Sequence, residues 1–155
     1  MRWALRIAGL LLVTVSIAGL WIRGVDHDPA LWHADPTAAE RTGAPNDALA
    51  APADTTRAAP DTVLVSAPSD PLAAFDRVAR GSPRVEVVAG SVEEGHITYV
   101  QRSAILGFPD YVSAKRVEAA TGASIAVWSR SRFGHSDLGV NAARLADWLA
   151  AAGFE

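Results

Sequence analysis

The chain has 155 residues, half of them apolar, which is material for one domain and little more. It contains no cysteine, and this excludes disulfides, thiolate zinc sites and thiol catalysis. A net charge of −3 with no basic stripe leaves no electrostatic footprint for nucleic acid, so that partner class is set aside.

The first element is an apolar run from Trp3 to Ile22 that is broken by a single charge, Arg6. About 20 apolar residues at about 1.5 Å rise match the roughly 30 Å hydrocarbon core of a bilayer, so the run reads as a transmembrane helix. Arg6 lies where its stem reaches the headgroups, and Trp3 and Trp21 stand at the two interfaces. Arg2, Arg6 and the terminal amine stand at the start of the run, whereas Arg23 beyond it is outweighed by Asp26 and Asp28. Positive-inside logic then puts the N-terminus in the cytoplasm and the rest of the chain on the periplasmic side of the inner membrane. The alternative is a cleaved signal peptide, for which Ser16, Ile17 and Ala18 offer small residues, but the apolar run continues past that point to Ile22. Residues 1–25 are therefore expected to be a single-pass anchor.

Residues 26–61 read as a juxtamembrane piece and a spacer. His27 and His33 have no carboxylate or thiol company that suggests a metal, and neither metal nor cofactor is expected. Pro36, Pro45, Pro52 and Pro60 stand among alanines with few large apolar residues, the composition of a stiff spacer or of a strap lying along the domain that follows.

The folded domain is expected over residues 62–155. Thr62-Val63-Leu64-Val65-Ser66 is a short β-branched run suited to an edge strand. Asp70-Pro71 opens a helix with Leu72, Phe75, Val78 and Ala79 on one face, and Gly81 ends it. Residues 84–88 and 95–103 form one pair of strands, and residues 111–118 and 124–131 a second pair turning at Thr121-Gly122. A last helix runs from about Leu138 to Ala152, with Leu138, Ala142, Leu145, Leu149 and Ala152 as its apolar stripe. The expected fold is α+β: an antiparallel sheet of four or five strands, two helices on one face, and one transmembrane helix before it.

Residues 129–141, SRSRFGHSDLGVN, are the most informative stretch. With Tyr99-Val100-Gln101-Arg102-Ser103 and Gly107-Phe108-Pro109-Asp110-Tyr111-Val112-Ser113, this run resembles the domain of unknown function 1499 family over roughly residues 45–149. Bacterial members of that family are similar in having a membrane segment and then an Asp-Pro-x-x-Trp-His piece, which Asp28 to His33 match. The resemblance implies a membrane-anchored domain and brings no activity or ligand with it.

The chemistry must come from the residues. Strand alternation puts Trp128, Arg130 and Arg132 on one face and Ile125, Val127, Ser129 and Ser131 on the other, with Ile125 and Val127 toward the core. Arg102 falls at a similar level on a neighbouring strand, and Asp137 is placed to cap the final helix. The expected anion site is thus Arg102, Arg130 and Arg132 beside a helix end shaped by Asp137, Gly139 and Asn141. The structural alternative has Arg130 and Arg132 paired with Asp110, Glu118 or Asp137, pinning helix to sheet.

His135-Ser136-Asp137 holds the residue types of a triad, but adjacent side chains point apart, and the G-x-S-x-G spacing is missed. Only distant pairs, His96 with Ser129 or Ser131, leave a hydrolase open, so no catalytic residue is assigned and an enzyme is not expected. The connection at residues 104–109 is unusually apolar. Ile105, Leu106 and Phe108 either plug one end of the core or form a contact loop for a lipid surface or a protein. The function expected is a non-catalytic envelope binding module for an anionic ligand or lipid headgroup; the alternative is an envelope scaffold that docks an envelope protein.

Overall fold

The computed structural model describes residues 2–155. Strands β5 (Pro109–Ala119) and β6 (Gly122–Ser131) pair antiparallel across Ala120-Thr121, and Gly122, at φ +108°, supplies a backbone conformation that L side chains avoid. On one side β5 carries β4 (His96–Arg102), which carries β3 (Val85–Ser91). On the other, β6 carries β1 (Asp47–Ala51), and β2 (Thr62–Val63) runs parallel to β1 at the edge. The sheet order is β2-β1-β6-β5-β4-β3.

Four α-helices are found among the described residues: α1 (Arg2–Arg23), α2 (Pro29–Trp32), α3 (Pro71–Gly81) and α4 (Val140–Ala152). Asp70 accepts from the Ala73 amide and Pro71 takes the first helical position, so α3 begins where its capping residues dictate. α3 and α4 cover one face of the sheet. Leu72, Phe75, Leu145, Trp148 and Leu149 pack there on Ala48, Ala50, Ile97, Tyr99, Val112, Ala114, Ile125 and Val127. Burying each large side chain contributes about 1.5–3 kcal/mol. Phe75 and Trp148 meet edge to face at 5.8 Å.

Three expectations need correction. The sheet has six strands rather than four or five, and it is mixed, because β1 and β2 are parallel. The added interior strand, β1, lies within the Ala/Pro-rich stretch at residues 26–61 that composition assigns to a spacer. Its alanines carry little strand propensity but fit close under the helices. Third, among the described residues no helix is long and apolar enough to cross a membrane, and the expected transmembrane helix is withdrawn. With it go the single-pass inner-membrane anchor and the periplasmic placement of the domain. α1 has 22 residues, but Arg6 and Arg23 charge it, and Gly9, Thr14, Ser16 and Gly19 interrupt its apolar sequence.

The other face of the sheet is covered by the chain between α1 and β1. This strap contains α2 and a 3₁₀ turn at Pro36–Ala38, each started by an Asp-Pro pair. Asp28 accepts from the Ala30 amide and Asp35 from the Thr37 amide, both at 2.9 Å. Residues 26–39 thus lie along the sheet, with His27, Trp32 and His33 bonded to it.

Candidate functional site

Under the strap, Arg102, Arg130 and Arg132 converge on Tyr111. Alternation along β6 places Trp128, Arg130 and Arg132 on this face, and register places Arg130 beside Tyr111. Arg132 Nη1 donates to Tyr111 Oη at 3.1 Å and to the Asp26 carbonyl at 2.6 Å. Arg130 Nη2 donates to the Trp32 carbonyl at 2.6 Å, and Nη1 to Ser113 Oγ at 3.2 Å. Arg102 Nη1 donates to the carbonyls of Ile22 and Gly107 at 3.3 and 3.1 Å.

None of these three guanidiniums has a carboxylate within 4.0 Å among the described residues. Aromatic rings take the place of counter-charges. Arg130 lies 4.3 Å from the Trp128 ring centre and 5.8 Å from that of Trp32, and Arg132 lies 5.4 Å from Trp32. Arg130 is 8 % exposed, and burial without a paired charge brings its pKa down to about 10.

His27 joins the cluster in a defined protonation state. Arg102 Nη2 lies 2.7 Å from His27 Nε2 and can only donate, so that nitrogen is unprotonated. Nδ1 then carries the proton and donates to Tyr111 Oη at 2.7 Å. Burial and then the charges of Arg102 and Arg132 lower the His27 pKa, in agreement with a neutral ring. Further along the strap, His33 stacks on His96 at 3.8 Å and bonds Thr98 Oγ1 at 2.9 Å. Among the described residues no group of three potential ligands could hold a metal ion.

The structure divides the expected site in two. Asp137, Gly139 and Asn141 sit at the start of α4, on the helical side of the sheet, away from the arginines. Asp137 accepts from the amides of Gly139 and Asn141 at 2.9 and 2.8 Å, so the helix end is filled by its own chain. Burial opposes the charged form of Asp137, but these donors outweigh it and hold its carboxyl below the usual range. The two halves of the site lie on opposite faces of the sheet.

Other placements are equally definite. Asp110, a proposed partner for Arg130 and Arg132, is held instead by Arg144 at 2.7 Å. Sequence reasoning missed Arg144, although an arginine on the buried face of α4, one turn from Trp148, is a usable signal. His96 faces the strap while Ser129 faces Asn141, so that His–Ser pair is separated by the sheet. Ile105 is 81 % exposed and does not plug the core. Leu106 is exposed too, and Phe108 packs edge to face on Phe133. Arg23 donates to the Ile105 carbonyl at 2.7 Å.

This geometry defines an α+β protein whose open sheet buries one face under helices and keeps a cationic, aromatic face beneath a strap. The chain belongs to the family described as "Protein of unknown function (DUF1499)", which matches residues 34–151. The match starts before the 45–149 expected from the motifs and takes in the end of the strap. No curated protein and no solved structure matches the chain.

Proposed function

We propose that the protein is a binding module for a small anionic ligand, held by Arg102 and Arg132 with Arg130 behind them. The supporting observation is three convergent guanidiniums with no carboxylate partner among the described residues, satisfied by carbonyl oxygens and neutral side chains and, for Arg130 and Arg132, by aromatic rings. A phosphate or carboxylate group offers charged acceptors where the strap offers neutral ones, and charge-assisted bonds are roughly twice as strong. The test is calorimetric titration of the full chain with phosphate and sulfate. Saturable binding that weakens about tenfold or more in Arg102→Ala and in Arg132→Ala supports the reading. No saturable binding, or binding indifferent to both substitutions, overturns it. Arg130→Ala is a poor probe, since that residue is buried.

A second reading is favoured by the strap carbonyls themselves: the arginines act as a clasp, and the module is a scaffold. Under it, Arg132→Ala frees the amides around Trp32 to exchange while anion affinity stays unchanged.

A further inference from the structure

A separate cleft of about 300 Å³ opens at the end of the sheet on the helical side, between the loop before β5 and the turn leading into α4. That volume is at the lower end of the roughly 300–1,000 Å³ of ligand pockets. Phe108, Phe133 and Val140 give it apolar walls, and Asp110, Ser131 and Ser136 its polar points.

Asp110 is the unusual member. It is 8 % exposed, and its Oδ2 is taken by Arg144 Nη2 at 2.7 Å. No donor among the described residues reaches Oδ1. Since no buried side-chain polar atom among them lacks a partner, Oδ1 is open to the cleft that Asp110 lines. The carboxylate is held rigidly from behind. Arg144 also donates to Gln101, Ser129 and Asn141, and Asn141 donates to Ser131 Oγ at 3.0 Å. Ser131 therefore accepts from below and keeps its own proton for the cleft.

We infer that this cleft is a ligand site for a small neutral ring bearing one O–H or N–H donor, with the ring against Phe108 and Phe133 and the donor on Asp110. The apolar walls recognise the ring, and the open acceptor selects a donor over a bare hydrocarbon. Neutrality follows from the charges. Arg144 already balances Asp110, so a cation gains little. An anion would face two carboxylates, Asp110 and Asp137. Arg132 lies 5.5 Å from the Phe133 ring that forms one wall, but the polar points of the cleft are on the helical side of the sheet, away from the arginines.

The test uses ligand-observed NMR on the full chain with phenol, toluene and benzoate. Saturable phenol binding, with toluene about tenfold weaker and benzoate weaker still, is the expected order. Toluene equal to phenol, benzoate equal to phenol, or no saturable binding overturns the inference. Val140 is 49 % exposed, so Val140→Trp fills the cleft at little expense to the fold and should abolish phenol binding. Ser131→Ala, which removes one polar point and leaves the walls, should weaken it; phenol affinity unchanged in both variants also overturns the site.

Discussion

The indole of Trp32 lies flat on the ring of Tyr111, with centroids 3.9 Å apart and planes 9° from parallel. This one contact ties the strap to the middle of the sheet, because Tyr111 also receives hydrogen bonds from His27 and Arg132. Trp32→Ala removes the stack and two cation–π contacts, and it should lower unfolding free energy by about 1–3 kcal/mol. The neighbouring Leu31 is exposed, and Leu31→Ala should stay within about 0.5 kcal/mol. Urea unfolding of the two variants checks this, and equal effects would mean that the strap is not anchored at Trp32.

The strap should also loosen in acid. His27 and His96 both lie below the ordinary histidine value of 6.5. For His27 burial is the largest cause, then Arg102 and Arg132, with Glu86 and Asp26 opposing. For His96 it is burial, then the stacked His33, with Lys115 adding to the effect and the Ala34 carbonyl and Asp35 opposing. A base depressed in the folded state contributes stability that is complete above pH 6.5 and drains away as pH falls from there through the lowered values. Backbone NMR shifts of residues 27–34, followed downward from neutral pH, should therefore move below pH 6.5. The same profile in a His27→Gln/His96→Gln variant would show that other groups are responsible.

How much of this was legible depended on whether the signal was local. Asp70-Pro71 opens α3 by capping chemistry confined to the helix itself, and the helix ends at Gly81 as expected, with Ser82 as its C-cap. Alternation in β6 likewise puts Arg130 and Arg132 opposite Ile125 and Val127. What covers the arginines was not legible, because Arg130 meets a carbonyl 98 residues away. β1 was hidden by composition, since alanine disfavours strands unless packing demands a small residue. The apolar stripe of α4 is read correctly at Leu145 and Leu149, which are buried with Trp148 beside them, but not at its start, where Leu138 precedes the helix at φ +57° and is 94 % exposed. In the first turn of α4 the buried positions go to Asn141 and Arg144, and polar residues inside a core leave no hydrophobic signal there.

Those polar residues set the next expectation. The Arg144–Asp110 pair is buried, and removing one partner strands the other charge. Arg144→Met should lower stability by about 3–5 kcal/mol, and Arg144→Met/Asp110→Leu should recover most of it. The exposed i, i+4 pair Arg80–Asp76 is the control, and Arg80→Ala should cost less than about 1 kcal/mol. Chemical denaturation distinguishes the cases, and similar losses for Arg144→Met and Arg80→Ala would refute the buried-pair account.

Gly90 connects the edge of the sheet to the strap. It lies in β3 at φ +80°, and a Cβ there would collide with the His96 carbonyl oxygen and come within 2.9 Å of His33 Cε1. Gly90→Ala should therefore cost more than about 1 kcal/mol and also shift His33 off His96. Gly43 has a similar φ of +77° with nothing within 4 Å of its Cβ, so Gly43→Ala carries the backbone strain alone. Imidazole NMR signals of His33 and His96 separate the two effects. They should move in Gly90→Ala and hold still in Gly43→Ala. If both variants leave them unchanged, His33 is not seated against the sheet by the space that Gly90 leaves.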